Sequence, residues 1–363
     1  MRVALLTSAN GWRGSGSSYA KLARGLGDRG HTAHLVTAAE RLTSRLVAME
    51  LPVTEIPGRN TGPREVLALV KVLRRIGAEA LMVDTPRDVR LAAYATLLRP
   101  ARIVYRYNLN YRRPRNDLMD RAYLRRVSAC VYQSRYIQED AIAHAPWMRR
   151  IRGFRIPNGY DVRRYAPRPE EGRAFRGRYG IRSDARVVLT TAKLTRNKGH
   201  DVAIVALGLV HNSGTPLVYL VCGDGGRESE LRGLARSVGL PAVFTGLLEP
   251  SEIIAALAAA DVVVHPSLNE IFPNAVGEAM ACARPVVAAD AGGTAELLGR
   301  DGDTGLLVPP GDAAALATAV RELLADSERR DRLGGAARRR IEAEFPLGRM
   351  IDGYEAALLA VIQ

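Results

Sequence analysis

Short runs of Val, Ile and Leu recur along the chain, each closed by a polar or glycine-containing break. In the first half such runs lie at residues 3–7, 33–37, 53–56, 80–83, 102–107, 129–132 and 155–157. In the second they lie at 187–191, 218–222, 242–245, 262–264 and 286–289. Apolar character that is continuous rather than alternating marks strands buried on both faces. Between them, apolar positions return every three or four residues and predict helices over 18–29, 63–76, 87–98, 117–127 and 135–143. Further helices fit 312–324, an arginine-rich stretch ending near 344, and 350–361. Strands alternating with helices predict parallel sheets covered on both sides. With 363 residues, 47% of them hydrophobic, the chain can bury two domain cores.

The run at 262–264 opens the most informative stretch. Pro266 and Ser267 stop the strand, and Asn274 is placed to cap a helix carrying Ala275, Val276, Ala279 and Met280 inward. Pro285 ends that helix before the strand at 286–289. The result is a βαβ unit, whose loops lie at the carboxyl end of the sheet, where α/β proteins place ligands. Glu270 falls in the first loop and Glu278 on the first turns of the helix. A glutamate near a helix N-terminus is stabilising through the helix dipole alone, so Glu278 has a structural reading beside a functional one. In the functional reading a carboxylate accepts hydrogen bonds from vicinal hydroxyls of a sugar or ribose, while backbone amides hold a neighbouring phosphate.

Glu270 and Glu278, followed by Ala-Met-Ala-Cys-Ala-Arg-Pro-Val-Val-Ala over 279–288 and by Gly292-Gly293-Thr294-Ala295-Glu296, resemble a known signature. It is the donor site of retaining glycosyltransferases of family four, which have the GT-B fold. The segment 192–201 places Lys193 and Lys198-Gly199 in a loop entering a helix, a workable diphosphate clamp. It resembles the family's donor-phosphate motif, with lysine at 193 where arginine is usual; charge is kept and bidentate geometry lost. Segments 131–136 and 156–165 resemble the two that close the family's first domain. Residues 247–250 match the place where the nucleotide base is held by backbone groups, and the loop with Gly11, Gly14 and Gly16 matches the N-terminal loop facing the donor. The resemblance covers nearly the whole chain, most strongly 187–312.

What the resemblance implies is an α/β protein of two Rossmann-like domains facing a cleft, with the last helix crossing back onto the first domain. Residues 1–165 with the returning helix 346–363 would take the acceptor, and 166–345 the donor, with a linker at 166–172. The implied activity moves a sugar, with retention, from a nucleotide diphosphate sugar, UDP favoured and GDP next. The acceptor would be a glycan or a lipid-linked molecule of cell-envelope polysaccharide or glycolipid synthesis. Lys193, Lys198 and Glu270 form the implied catalytic set: the lysines offset charge on the leaving diphosphate and Glu270 holds sugar hydroxyls. Glu278 would hold the ribose. Phe272, Pro273 and Asn274 would line the donor through backbone groups, and Gly14 and Gly16 would allow close approach. The family often places a histidine after the strand that ends near Val104; this chain reads Tyr105-Arg106-Tyr107-Asn108 there, leaving Arg106, Asn108 or water to replace it. No metal and no cofactor beyond the nucleotide-sugar substrate is expected, since the histidines lack metal spacing and no H-E-x-x-H or P-loop occurs.

Charge changes the picture for one half. Residues 1–165 hold 30 Lys and Arg against 13 Asp and Glu, a net +17, while 166–363 hold 22 against 25, a net −3. A basic half fits nucleic acid, an anionic membrane face or an acidic substrate. Nucleic acid is the poorest fit, because no RNP-type, zinc-finger or helix-turn-helix pattern occurs. Tyr111, Arg112, Arg113, Arg115, Leu118, Met119, Arg121, Tyr123, Leu124, Arg125 and Arg126 form a basic segment with interleaved apolar residues. Trp147, Met148, Arg149, Arg150, Arg152 and Arg155 form a second. Such segments dock on anionic lipid. A solvated face in an arginine-biased protein is the alternative, only four of the 52 cations being Lys. Cys130, Cys222 and Cys282 lack C-x-x-C spacing, the start is too short for a signal peptide, and no apolar run spans a membrane. Together these suggest a cytoplasmic protein, peripheral on the inner face of the membrane. A nucleotide-sugar epimerase of the same architecture remains the enzymatic alternative, set back by few acid–base groups in the first-domain loops.

Overall fold

The computed structural model describes residues 1–8, 12–58, 60–108 and 118–363. Gly11, Tyr111, Arg112, Arg113 and Arg115 lie outside the described residues, as does the side chain of Met119. The chain forms two compact units, residues 1–159 with 348–363 and residues 160–347.

The first unit contains β1 (Arg2–Thr7), α1 (Ser17–Gly27), β2 (Thr32–Thr37), α2 (Glu40–Val47), β3 (Val53–Glu55), α3 (Pro63–Ile76) and β4 (Ala80–Val83). It continues with α4 (Pro86–Leu98), β5 (Arg102–Arg106), α5 (Leu118–Leu124), β6 (Val127–Tyr132), α6 (Arg135–His144) and β7 (Arg152–Arg155). Its seven strands form a sheet in the order β3-β2-β1-β4-β5-β6-β7, every pairing parallel. The order reverses between β1 and β4, the switch point of a doubly wound sheet. Thr85 and Ser134 cap α4 and α6, their hydroxyls accepting from Asp88 N and Ile137 N.

The second unit contains α7 (Pro169–Arg178), β8 (Arg186–Thr191), α8 (His200–Asn212), β9 (Leu217–Cys222), α9 (Glu228–Ser237), β10 (Ala242–Gly246) and α10 (Pro250–Ala259). It then adds β11 (Val262–His265), α11 (Asn274–Ala281), β12 (Val286–Ala289), α12 (Thr294–Leu298), β13 (Leu306–Val308), α13 (Ala313–Ala325) and α14 (Ser327–Glu344). The sheet is again parallel, in the order β10-β9-β8-β11-β12-β13. Both faces carry a core: Leu189, Leu220, Val263 and Met280 belong to one, Val188, Val221, Val264 and Leu323 to the other. Successive residues of a strand serve opposite cores, which is why the runs read as unbroken hydrophobic sequence.

The last helix, α15 (Leu347–Ile362), belongs to the first unit for nearly all its length. Gly25 lets it approach α1, since a Cβ there would meet Ile351 at 2.8 Å. Arg29 bonds Asp352 and, at 2.6 Å, Glu355, which also takes His31 at 2.6 Å.

Several boundaries differ from the sequence pattern. The strand expected at 155–157 is β7, three residues earlier; it is the edge of the sheet, so its side chains stay largely exposed and polar residues cost little there. The expected linker at 166–172 enters α7, with Pro169 at its first position, Glu170 and Glu171 in the first turn and Phe175 buried. The helix expected over 117–127 is cut short because Val127 begins β6. The unit boundary falls at Gly159 rather than 165, since Tyr160 and Tyr165 pack into the second core.

Candidate functional site

The carboxyl ends of β8 and β11 bring together the loops that carry Lys198 and Glu270. Lys198 ends a short 3₁₀ turn, Arg196–Lys198, and Gly199 follows with φ 64°. A Cβ on Gly199 would lie 2.0 Å from the Pro266 carbonyl oxygen, so no other residue lets the two loops meet this closely. Leu268 N and Ser267 Oγ both donate to the Asn197 carbonyl, at 2.8 and 3.2 Å. The Glu270 carbonyl accepts from Gly293 N at 3.1 Å, adding the loop after β12.

Within this frame the Glu270 carboxylate accepts from Lys198 Nζ at 2.5 Å and from His265 Nε2 at 2.9 Å, both through Oε1. Burial opposes the charge on Glu270 and is the largest single influence on it; the contacts with His265 and Lys198 outweigh it together and hold the carboxyl at about 2. Glu270 is therefore an ionised acceptor shared by a histidine and an ammonium. Lys193 lies on the same β8 loop with its side chain exposed.

A second polar chain sits behind this loop. His200, fully buried at the start of α8, has Nε2 3.2 Å from the Lys193 carbonyl and Nδ1 3.3 Å from the Tyr219 hydroxyl. Tyr219 donates to Thr190 Oγ1 at 2.9 Å, and Thr190 to the Val264 carbonyl at 3.1 Å. Because a carbonyl only accepts, the proton sits on Nε2. Burial, above all, pushes His200 down to about 4, so the ring is neutral.

Glu278 lies on α11, where Tyr165 donates to its Oε1 at 3.1 Å. Burial and the neighbouring carboxylate raise the Tyr165 hydroxyl above its ordinary range, so it remains a donor. The Tyr160 ring lies across Gly277, whose Cβ, if present, would come 2.0 Å from the ring carbon Cζ. Arg338 bonds the carbonyls of Val162, Tyr165 and Ala281, fastening this segment to the end of α11. Asn274 is the first residue of α11 and not its cap; Pro273 occupies the cap position, without a side-chain bond. Phe272 is buried, its ring centroid 5.6 Å from that of Phe345, so it offers a ligand only backbone groups.

The first unit holds the remaining candidates. Gly14, with φ 78°, lies in a π-helical turn, Trp12–Gly16, that leads into α1. Arg106 points inward at the end of β5: Nε donates to the Tyr354 hydroxyl at 3.0 Å, and its second terminal nitrogen reaches Asn158 Oδ1 at 3.4 Å and Ser18 Oγ at 3.5 Å. The Gln133 amide, with its oxygen toward the guanidinium, accepts at 2.9 and 3.1 Å. Asn108 is half-buried just beyond β5.

The structure thus joins Lys198 to Glu270 and seats Glu278 on a helix of the same unit. Three partners escaped sequence reasoning. His265, at the end of an apolar run, had no partner marked in the sequence; it is buried and bonds Glu270, five positions on. His200 had only its place after Gly199 to mark it. Tyr165 is 113 residues from Glu278, and nothing in the sequence linked the two. Among the described residues, no group of three or more His, Cys, Asp or Glu is placed to hold a metal, and no helix is long and apolar enough to cross a membrane.

Comparison with known proteins follows the two units. Residues 12–164 match the model of Glycosyltransferase Family 4, and 172–340 that of Glycosyl transferases group 1. One curated relative is the GDP-mannose-dependent monoacylated alpha-(1-6)-phosphatidylinositol monomannoside mannosyltransferase of Corynebacterium glutamicum. It is 35% identical over 198 residues, 52% of this chain and 51% of its own. Another, the sulfoquinovosyl transferase SQD2 of Arabidopsis thaliana, is 44% identical over 122 residues, 33% of this chain and 24% of its own. The chain thus matches about half the length, or less, of these curated relatives. Among solved structures, a glycosyltransferase from Rickettsia africae superposes with TM-score 0.87 at 18% identity, covering 100% of this chain and 98% of its own. Anabaena HepE in complex with UDP and glucose gives 0.85 at 21%, covering 99% and 100%. The chain belongs to the GT-B glycosyltransferases of family four.

Proposed function

We propose that the protein transfers a sugar from a nucleoside diphosphate sugar, held by the second unit, to a glycan or lipid-linked acceptor taken by the first. The observation that carries this reading is the ionised Glu270 bonded to both Lys198 and His265 at the meeting of three strand-end loops. A carboxylate held ionised by two donors has acceptor capacity left for sugar hydroxyls. Lys198, only partly exposed, has donors left for a diphosphate, as does the exposed Lys193. Glu278, oriented by Tyr165, suits the vicinal hydroxyls of a ribose. The loop at Phe272, Pro273 and Asn274 contributes backbone groups, and the exposed Gly14 opens the first-unit loop to a ligand, while Gly16 is buried in a helical conformation at the start of α1. Asn108 is assigned to the acceptor side, and Arg106 to the support behind it.

In this reaction the acceptor hydroxyl oxygen forms the new bond to the anomeric carbon, and the bond from that carbon to the phosphate oxygen breaks. The hydroxyl proton passes to the leaving phosphate, and the configuration is retained by attack from the leaving-group face. Lys193 and Lys198 stabilise the charge that gathers on the diphosphate. The relatives' names support both a lipid acceptor and two nucleotides: GDP-mannose and phosphatidylinositol mannoside in one, UDP in another. We assign the protein to envelope glycolipid or polysaccharide synthesis at the cytoplasmic face of the membrane. Nucleotide release from UDP-, GDP- and ADP-sugars, with and without a membrane extract, tests the reading. Release that rises with the extract for one donor supports it; no binding or release with any donor overturns it.

A further inference from the structure

α4 is apolar on both sides. Its inner face, with Val89, Leu91, Ala92 and Ala95, is buried in the first unit. Its outer face leaves Tyr94, Leu97 and Leu98 exposed by 39%, 63% and 53%. With Arg90 they fall at spacings of four and three, one stripe of the helix. A surface helix ordinarily turns polar residues to water, so an apolar outer stripe needs an explanation.

The stripe extends onto α5. The Tyr94 and Tyr123 hydroxyls are 3.0 Å apart and their rings meet edge to face, with centroids at 5.7 Å. α4 and α5 both precede strands of one parallel sheet and so run in the same direction. That register puts Leu97 and Leu98 one turn beyond the tyrosine pair, a strip roughly 6 Å long from Tyr94 at helical rise; Leu118, 83% exposed, lies five positions before Tyr123 and so on a different side of α5. Arg90, Arg102, Arg125 and Arg126 are exposed along it. Of the two helices' carboxylates, Asp88 is wholly buried and bonded to Arg87, Ser8 and Thr85, and the side chain of Asp120 on α5 lies outside the described residues.

We propose that this face docks on an anionic lipid bilayer, with Leu97 and Leu98 entering the acyl boundary, Tyr94 and Tyr123 at headgroup level, and the arginines on lipid phosphates. Leucines that enter, tyrosines at the polar boundary and cations around them are the chemistry of an interfacial surface. A second copy of the chain fits poorly, since it would set arginines against arginines in a half that carries +17. The surface differs from the sequence expectation. Leu124 and Met148, read there as membrane-entering residues, are core residues exposed by 6% and 1%. The docking surface supplies a purpose only if the lipid-acceptor reading holds, but its observation is independent of that reading.

Flotation of the full chain with phosphatidylcholine vesicles, alone or mixed with phosphatidylglycerol, tests it. Three proteins are compared: wild type, the pair Leu97→Ser with Leu98→Ser, and the pair Arg125→Glu with Arg126→Glu. Wild type should float with the mixed vesicles at low salt and not with phosphatidylcholine alone. Each pair should lose at least about tenfold in partitioning while melting at the wild-type temperature. Wild-type flotation by either pair overturns the proposal. So does a wild-type dimer in solution that the leucine pair dissociates, which would give the face to a second copy. Nucleotide-sugar binding, measured on the same proteins without vesicles, separates the two readings: a protein that floats but binds no nucleotide sugar keeps this proposal and loses the transfer reading.

Discussion

Lys198 Nζ lies 2.5 Å from Glu270 Oε1, and His265 Nε2 reaches the same oxygen at 2.9 Å. One carboxylate oxygen thus serves two donors from different elements. The ammonium keeps contact with solvent, whereas the imidazole does not. Lys198→Met should therefore cost only about 1–2 kcal/mol of stability, the ion pair being screened on one side. It should lower turnover by about two to three orders of magnitude, because a charge aimed at the leaving diphosphate is lost. Single-turnover rates and thermal melting check both numbers. Loss of folding with turnover intact in the surviving fraction would make the pair structural.

Tyr165 and Glu278 should behave as a unit. Glu278→Ala removes a charged hydrogen bond to the ribose and should weaken nucleotide binding by about 1.5–3 kcal/mol. Tyr165→Phe removes only the group that orients the carboxylate and should cost about 1 kcal/mol. In the Glu278→Ala background the tyrosine change should be silent. Calorimetry with the free nucleoside diphosphate completes the cycle. Additive losses would mean the two residues act separately.

Gly277→Ala should be among the most damaging single-methyl additions in the second unit. The new Cβ would fall 2.0 Å from Cζ of Tyr160, a ring that is itself buried. Overpacking of this kind costs about 1–3 kcal/mol, or more where neither side can move. Tyr160→Ala leaves a cavity, yet combining the two changes should recover part of the loss. Melting temperatures of the single and double variants decide it: no recovery in the double variant would place the strain elsewhere.

The strands at 80–83 and 286–289 and the helix at 63–76 were legible to the residue, because buried parallel strands and amphipathic helices have unambiguous periods. β7 was misplaced because an edge strand need not be apolar, and α7 was missed because Pro169, Glu170 and Glu171 open a helix as readily as they fill a linker. Among site residues, Glu270, Glu278 and Lys198 stood out by local motif. Tyr165, His200 and the leucines of α4 did not. Their roles depend on what the fold sets beside them, whether a carboxylate 113 residues away, a carbonyl across a turn, or nothing but water. Arg106 is the same lesson reversed. Its place at a strand end suggested a ligand contact, and the partner that orients its guanidinium, Tyr354, stands 248 residues on.

Two groups should shape the response to acid, in successive windows that overlap between pH 4.5 and 4. His200 titrates near its ordinary 6.5 in the unfolded chain but only near 4 in the folded one. Between those values the unfolded state binds a proton that the folded state refuses, so stability falls as the pH drops from 6.5 toward 4. Glu270 stays ionised down to about 2 when folded, against an ordinary 4.5, so its contribution is complete above 4.5 and lost between 4.5 and 2. Each window amounts to about 3 kcal/mol at most, at roughly 1.4 kcal/mol per pH unit. His200→Gln, whose amide can still donate to the Lys193 carbonyl, should flatten the upper limb and leave the lower one. Glu270→Gln should do the reverse. Urea midpoints measured from pH 8 to pH 3 read both limbs against wild type. If His200→Gln leaves the slope between 6.5 and 4 unchanged, the buried imidazole is not the group that refuses the proton.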